Sequence, residues 1–204
     1  MYLTKINMPI ADRGVQRALG DCQQMHRMIT GLFDTSRTGS QVLYRLYCGR
    51  GVCCVYIYSS VPVKRERLLP NMELIGERDV TRWLESLSEG QAQSFDLLAW
   101  PSKKVSDGIA KNSRRRVLRT EAERLAWLAR KAEQNGFELI NVRELESAQQ
   151  SGRHDEEHGG RMYVDSYHYQ GEMRIIDAAK FRAAVRSGIG PGKAYGLGML
   201  LLKP

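Results

Sequence analysis

Five glycines within eleven residues near the end of the chain constrain its fold more than any other feature. The stretch runs from Gly188 to Gly198, with the sequence GIGPGKAYGLG, and continues into the apolar run MLLL. Glycine adopts positive φ angles and admits another backbone at close range, and such a loop can direct its N–H groups toward an anion. Lys193 adds a positive charge that suits a phosphate. The stretch is therefore either an anion-binding loop or a connector between the helix predicted for 177–187, which Gly188 ends, and the strand that follows.

The order of elements separates this glycine loop from two common phosphate-binding motifs. The nucleotide-hydrolase motif has four residues between a Gly and a Gly-Lys-Ser/Thr, and that spacing is absent here. The dinucleotide fingerprint follows a strand and opens a helix, whereas this loop follows a helix and enters a strand. The loop on its own leaves both alternatives open.

The charge of the chain favours a polyanionic partner. Its 204 residues carry a formal net charge of +8, which attracts nucleic acid or an anionic membrane surface. No apolar stretch is long enough to span a bilayer, and the first residues lack the pattern of a signal peptide. We expect a cytoplasmic protein without a membrane partner. None of its four cysteines form a Cys-x-x-Cys pair, so we expect reduced thiols rather than a zinc site.

The spacing of apolar residues predicts two halves with similar element order, divided near residue 90. In the first half it predicts a strand near 2–8, helical turns over 14–33 with Asp21 as an N-cap, a hairpin of 42–48 and 52–59, a helix at 79–87 and a strand at 93–100. In the second half it predicts a capping box at Thr120, a helix to 136, strands at 137–142, 162–169 and 173–176, a helix at 177–187 and a strand at 195–203. Both halves approach the βαββαβ order of a ferredoxin-like domain, which makes the fold class α+β.

Residues 101–119 are strongly basic, and Asp107 is the one acid among them. The segment is either a solvated loop or a clamp for a polyanion, and the overall charge favours the clamp because such clusters supply the sequence-independent part of nucleic-acid affinity. The candidate RNA-binding residues in it are Lys103, Lys104, Lys111, Arg114, Arg115, Arg116 and Arg119.

Two histidines four residues apart, His154 and His158, raise the possibility of a metal site. Glycines flank the segment, which disfavours a helix, and Asp155 stands where the catalytic zinc pattern needs Glu. We predict a solvated loop and no metal or other cofactor. A metal-dependent nuclease that uses His154 and His158 is kept as an alternative.

His26 lies at the edge of the apolar stripe of its predicted helix, beside Arg27. A histidine can take a proton from a ribose 2′-OH or give one to the leaving 5′-oxygen near neutral pH. A nearby cation can stabilise the charge of the phosphorane. This chemistry needs RNA and no metal, and it leaves a 2′,3′-cyclic phosphate and a 5′-OH. The alternative is a surface histidine without a role.

Several segments together resemble the CasE family of CRISPR RNA endoribonucleases, which belong to the type I-E Cascade system. They run in family order from the first residue to the last strand. The segments are MYLTK at the start, DCQQMHR leading to Leu32-Phe33, LAWPSK from Leu98, EAERLAWL from Glu121 and the glycine loop.

The resemblance implies two ferredoxin-like (RNA-recognition-motif-like) domains in tandem, here 1–90 and 91–204. It implies metal-independent cleavage of the CRISPR repeat stem-loop RNA at the base of its stem, retention of the processed guide RNA, and assembly with other Cascade subunits. His26 falls at the family's catalytic histidine, and the basic segment falls where the family grips the RNA hairpin. The family's RNA-contact signature falls on Gly190, Gly192, Gly196 and Gly198.

One position departs from the family pattern. The family often has a tyrosine three residues before the histidine, and this chain has Gln23 there. Gln23 is one helical turn from His26 and can orient an RNA phosphate by hydrogen bonding, while Lys193 and Arg27 are candidates for the missing catalytic support. A non-catalytic RNA-binding subunit on the same fold therefore stands as a further alternative.

Overall fold

The computed structural model describes residues 1–35, 37–105, 114–153 and 160–203. The β-strands are β1 Tyr2–Pro9, β2 Leu43–Cys48, β3 Val52–Ser59, β4 Glu73–Asp79, β5 Ala92–Ala99, β6 Ser102–Val105, β7 Arg114–Val117, β8 Phe137–Arg153, β9 Arg161–Ile175 and β10 Leu200–Lys203. The α-helices are α1 Arg13–Leu19, α2 Cys22–Thr30, α3 Arg37–Ser40, α4 Thr81–Ser86, α5 Glu121–Gln134 and α6 Ala178–Ser187. Short 3₁₀ turns cover Arg65–Arg67 and Lys193–Tyr195.

Two antiparallel sheets organise the chain. The first has the strand order β2-β3-β1-β4, and the second has the order β10-β5-β9-β8. In each sheet the strand that comes first in the chain lies between the third and the fourth, which is the arrangement of a ferredoxin-like fold. The predicted α+β class with tandem ferredoxin-like units is therefore confirmed. The division at residue 90 falls between α4 and β5, and the assignment of separate domains on either side stays a prediction.

The strand that closes the first sheet differs from the prediction. The sequence pattern placed a helix at 79–87 and then a strand at 93–100 in the first half. The fourth strand of the first sheet is instead β4, which pairs with β1, and β5 is the first strand of the second sheet. The pattern missed β4 because most of its residues are exposed and its pairing shifts register opposite Lys5 and Ile6.

The hairpin of β8 and β9 is also longer than predicted. The strand predicted for 137–142 continues to Arg153, and the strands predicted for 162–169 and 173–176 are one continuous strand. The sequence pattern predicted no strand for 147–153. Its side chains are mostly polar, so no apolar alternation marks it, and backbone pairing with β9 holds it in the sheet.

Several local signals predicted the boundaries of helices correctly. The carboxylate of Asp21 accepts hydrogen bonds from the backbone N–H groups of Gln23 and Gln24 and so caps α2. Thr120 and Glu123 form the predicted capping box of α5. Gly188 follows α6 with a φ of 76°, a value that favours glycine.

Apolar packing joins the two sheets. One buried cluster fills the first half and includes Met25 and Ile29 of α2. A second cluster fills the other half around Trp127, and it also takes in Leu43 and Tyr58 from the first sheet. Side chains from β2 and β3 therefore pack directly into the core beneath the second sheet.

The cysteines differ in part from the expectation of four reduced thiols. Cys48 and Cys53 form a disulfide across the β2–β3 hairpin, whereas Cys22 and Cys54 are free. The two bonded residues face each other in the strand register, a juxtaposition that spacing alone did not reveal. Within the described ranges, no helix is long and apolar enough to cross a membrane. His154 and His158 lie outside the described residues.

Candidate active site

Helix α2 presents the predicted catalytic histidine. Met25 and Ile29 are buried against the first sheet, and this packing turns the helix so that Gln23 and His26 are only partly buried and Arg27 is exposed. Residues three apart on a helix are neighbours on its surface. The side chains at 23 and 26 are therefore neighbours on the surface of α2.

The glycine loop is shaped by close packing as well as by backbone conformation. All five of its glycines have a φ between 76° and 81°. A Cβ on Gly196 would come within 2.8 Å of the Tyr44 ring, and a Cβ on Gly198 would lie 2.5 Å from the carbonyl oxygen of Ile189. The N–H of Gly198 donates to the carbonyl of Leu98 at 2.7 Å. These observations support the connector alternative for the glycines themselves, and direct contact of Gly190, Gly192, Gly196 and Gly198 with RNA stays a prediction.

Two side-chain hydrogen bonds hold the loop against the first half of the chain. The amide nitrogen Nε2 of Gln23 donates to the phenolic oxygen of Tyr195 at 3.2 Å. The hydroxyl of Tyr44 donates to the carbonyl of Ala194 at 3.0 Å. The turn Lys193–Tyr195 thus contacts α2, so the predicted helix and the predicted loop are adjacent in the fold. Tyr195 was not among the predicted site residues, because nothing in the sequence indicates that it reaches Gln23.

A basic groove opens on the other side of the loop. Its lining includes Lys104 and Arg115 of the β6–β7 hairpin together with Gly190 and Lys193 of the glycine loop. Lys131 of α5 contributes a further positive charge that the sequence analysis missed, because Lys131 lies outside the basic segment. The structure therefore brings part of the predicted clamp to the glycine loop.

The register of the β6–β7 hairpin divides its basic residues between two faces. Lys104 pairs with Arg115, and Lys103 pairs with Arg116. Since neighbouring positions of a strand point to opposite faces, Lys104 and Arg115 face the groove, and the second pair faces away from it. Among the remaining predicted RNA-binding residues, Arg119 does not line the groove, Arg114 is described only by its backbone, and Lys111 lies outside the described residues.

A second basic groove lies beside the first turn of α2. Arg17 of α1 lines it together with Arg153 and Arg161, which are directly opposite each other at the end of the β8–β9 hairpin. Gly152 brings this hairpin close to the helix, because a Cβ there would lie 2.7 Å from the sulfur of Cys22. The sequence analysis missed all three arginines, which are isolated in the sequence and meet only through the fold.

A buried polar cluster lies between the two sheets. Its residues are separated in sequence from helix α2 and from the glycine loop. Asp96 is 1% exposed, and its Oδ2 contacts Nε2 of His168 at 2.7 Å and accepts a hydrogen bond from Gln170 at 2.6 Å. Arg45 of β2 lies 3.6 Å from Oδ1. Burial opposes ionisation of Asp96, but side-chain hydrogen bonds with Gln170, His168 and Tyr47 hold the pKa of Asp96 below its usual value. The cluster ties β2 to β5 and β9 and so fixes the relative position of the strands that carry the site.

Comparison with known proteins finds matches over the full length of the chain. The family model described as "CRISPR associated protein" matches residues 1–204. The CRISPR-associated endoribonuclease Cse3 of Thermus thermophilus is 29% identical over 222 residues, which cover 100% of both chains.

Solved structures resemble the chain over its whole length. A structure of CRISPR endoribonuclease Cse3 bound to a 19-nucleotide RNA gives a TM-score of 0.88 at 28% identity, with 100% of both chains covered. Thermus thermophilus Cse3 bound to an RNA that represents a pre-cleavage complex gives a TM-score of 0.86 at 26% identity, covering 100% of this chain and 98% of that chain. Cas6e from Escherichia coli gives a TM-score of 0.73 at 25% identity, with 100% of both covered. These matches confirm the resemblance drawn from the sequence.

Proposed function

Because the chain belongs to the family of CRISPR-associated proteins, we propose that it is a metal-independent endoribonuclease that cleaves CRISPR repeat RNA at the base of its stem-loop. The similarity to endoribonuclease Cse3 over the full chain supports RNA cleavage as the activity. The observation that carries the proposal is the contact between helix α2, which bears His26, and the glycine-loop turn, which bears Lys193.

The proposed reaction is an internal transfer at phosphorus. The ribose 2′-oxygen attacks the adjacent phosphorus, the bond from phosphorus to the 5′-oxygen breaks, and the products are a 2′,3′-cyclic phosphate and a 5′-OH. His26 takes the 2′-OH proton or gives a proton to the leaving oxygen, since an imidazole side chain can serve as general base or general acid. Lys193 or Arg27 stabilises the negative charge that develops on the phosphorane oxygens.

Binding of the RNA is assigned to the basic surfaces on both sides of this helix. Lys104, Arg115 and Lys193 line one groove, and Arg17 and Arg161 line the other. Cationic side chains of this kind bind phosphates without regard to base sequence. Retention of the processed guide RNA and assembly with other Cascade subunits follow from the resemblance to the CasE family and are part of the proposal.

The test is incubation with the repeat RNA of the neighbouring CRISPR array in excess EDTA, followed by end-group analysis. We expect one cut, a 2′,3′-cyclic phosphate on the upstream product and a 5′-OH on the downstream product. A 2′-deoxy nucleotide immediately 5′ of the cut should block the reaction. His26→Ala should bind the RNA with affinity close to that of the wild type and fail to cut it.

A matched variant distinguishes the metal-independent mechanism from the metal-dependent alternative. His154→Ala/His158→Ala should retain cleavage in chelator, and loss of cleavage in EDTA or in this double variant would overturn the metal-independent mechanism. Equal cleavage by His26→Ala would remove His26 from the reaction.

The presence of Gln23 in place of the family tyrosine favours one second candidate, a non-catalytic RNA-binding subunit on the same fold. Such a protein would bind the stem-loop RNA with high affinity and leave it intact under every condition of the same assay. The wild-type result alone therefore decides between the two functions.

A further inference from the structure

A pocket without charged side chains lies between the two basic grooves, beside helix α2. Met25 of α2 and Leu46 of β2 contribute apolar surface, Tyr195 contributes an aromatic ring, and Gln150 and Ser151 of β8 contribute polar groups. Cys22 also lines it, and burial raises the pKa of this thiol to about 11, so the thiol is neutral near pH 7. None of the described residues that line this pocket carries a charge.

The pocket is continuous with one basic groove and is separated from the other by a single 3₁₀ turn. Gly20 and Ser151 line both the pocket and the groove of Arg17, Arg153 and Arg161. On the other side, Tyr195 belongs to the same 3₁₀ turn as Lys193, which lines the groove of the basic hairpin. A chain with regularly spaced negative charges could therefore lie in both grooves and cross the mouth of the uncharged pocket.

Among the described residues, three arginines and one carboxylate line the second groove, and that carboxylate, Asp21, accepts hydrogen bonds from the backbone at the start of α2. Arg153 and Arg161 stand directly opposite each other in the β8–β9 register, and like charges in that position repel. A phosphate between them and Arg17 would offset this repulsion. The backbone of a bound RNA thus has a physical reason to continue past α2 into this groove.

The orientation of β8 determines which of its polar side chains is available to form hydrogen bonds in the pocket. Gly152 packs against Cys22 and Gln23, and Gln150 lies on the same face of the strand because side chains alternate along it. Gln149 also lines the pocket, but its side-chain amide donates a hydrogen bond to Asp165 at 2.8 Å. Gln150 is partly buried and carries both a donor and an acceptor.

We propose that this pocket binds one unpaired nucleobase of the RNA, at a nucleotide next to the cleaved phosphate. Tyr195 and the apolar side chains contact the faces of the base, and the amide of Gln150 hydrogen-bonds to its edge. Recognition of splayed-out bases by stacking and edge contacts is how proteins read single-stranded RNA. The proposal rests on the proposed function for the identity of the ligand, and it adds a site that selects the sequence at the cut.

The test uses the full-length protein and the repeat stem-loop RNA with 2-aminopurine at one unpaired position at a time. All unpaired nucleotides carry 2′-deoxyribose so that the RNA is not cut during the titration. We expect strong fluorescence quenching at one position adjacent to the cut. The four natural bases at that position should differ in affinity by about ten-fold, as expected for one satisfied or unsatisfied edge contact.

The variant Gln150→Ala should reduce this difference to less than about three-fold. The control Gln16→Ala, at an exposed position of α1 outside the pocket lining, should retain it. Binding without quenching at any unpaired position, or an unchanged base preference in Gln150→Ala, would overturn the pocket assignment even if cleavage is normal. A base preference that depends on Gln150 in a protein that never cuts unmodified RNA would support the pocket and overturn the nuclease. Absence of RNA binding would overturn both.

Discussion

The side-chain amide of Gln23 donates a hydrogen bond to the phenolic oxygen of Tyr195 over 3.2 Å, and it joins residues that lie 172 positions apart. The bond connects the helix that carries His26 to the turn that carries Lys193. The hydroxyl of Tyr44, which bonds to the carbonyl of Ala194, supports the same turn from β2. The phenol at this position is therefore that of Tyr195 in the glycine loop. Position 23 of helix α2 supplies the amide of Gln23.

The first prediction concerns this hydrogen bond. Tyr195→Phe removes the oxygen that accepts from Gln23 and keeps the ring. We expect the single-turnover cleavage rate to fall about five-fold, because a neutral hydrogen bond contributes about 1 kcal/mol. The affinity for repeat RNA should change less than two-fold, since the basic grooves remain. Rapid-quench cleavage assays and filter binding measure the two quantities.

Tyr2→Phe is the matched control, because Tyr2 lies on β1 and outside the site. Its cleavage rate should equal that of the wild type. If Tyr195→Phe also cleaves at the wild-type rate, the Gln23–Tyr195 hydrogen bond has no part in positioning the helix and the loop.

The second prediction concerns the two faces of the β6–β7 hairpin. Lys104→Ala/Arg115→Ala removes the pair that lines the groove. We expect weaker RNA binding and a decrease of about 2 in the slope of log affinity against log salt, about 1 for each lost phosphate contact. Titrations at several salt concentrations give the slope.

The control has the same loss of charge on the opposite face. Lys103→Ala/Arg116→Ala should change the salt slope by less than about 0.5. Equal effects of the two double variants would mean that RNA affinity depends on the total charge of the segment. The face of the hairpin on which each charge lies would then make no difference. An unchanged salt slope in both double variants would favour the solvated-loop interpretation of the basic segment.

Local sequence signals were sufficient for much of the fold. The cap at Asp21, the capping box at Thr120 and the end of α6 at Gly188 depend on neighbouring residues, so the sequence predicts them correctly. Strand β4 and the outer part of the β8–β9 hairpin were missed. Their pairing rests on backbone hydrogen bonds to distant strands, while their exposed side chains carry no alternation.

The same distinction applies to the candidate site. Helix α2 and the glycine loop were identified in the sequence because each has a local signature. Tyr195, Lys131 and the three arginines of the second groove were not, because what makes each of them relevant is a contact with a distant element. Those contacts depend on how the two sheets pack, which the sequence pattern alone does not determine.

The third prediction concerns the buried carboxylate between the sheets. Asp96→Asn should lower the free energy of unfolding near pH 7 by about 3 kcal/mol, because it leaves the charge of Arg45 without its buried partner. The control Asp34→Asn removes surface pairs with Lys64 and Arg67 and should cost less than about 1 kcal/mol. Urea unfolding followed by circular dichroism measures both, and equal effects would contradict a role for the cluster in holding the sheets together.

The pH dependence gives an independent measurement on the same residue. The pKa of folded Asp96 lies below its ordinary value of 3.8, so the unfolded chain binds more protons in this range. The stability that Asp96 contributes is therefore present above pH 3.8 and is lost as the pH falls through the lower folded pKa. The difference between wild type and Asp96→Asn should shrink on acidification, and a difference that grows would contradict this sign.

The fourth prediction separates backbone strain from steric contact in the glycine loop. Gly198 and Gly90 have similar φ values, 81° and 85°. A Cβ on Gly90 has no atom within 4 Å, whereas a Cβ on Gly198 would lie 2.5 Å from the carbonyl oxygen of Ile189. Gly90→Ala should therefore lower the free energy of unfolding only by the cost of holding alanine in the left-handed conformation, about 1–2 kcal/mol. Gly198→Ala adds a clash with backbone that cannot move without displacing the loop, and we expect a total of about 3 kcal/mol or more.

Thermal unfolding of the two variants measures the difference, and cleavage by the folded fraction reports its effect on the site. Gly198→Ala should lose activity beyond its loss of folded protein, because the shifted loop carries Tyr195 away from Gln23. Gly90→Ala lies in the connection before β5 and should retain full activity per folded molecule. Equal stability and activity of the two variants would mean that the close contact with Ile189 relaxes without cost, and the glycine at 198 would then be required for its φ angle alone.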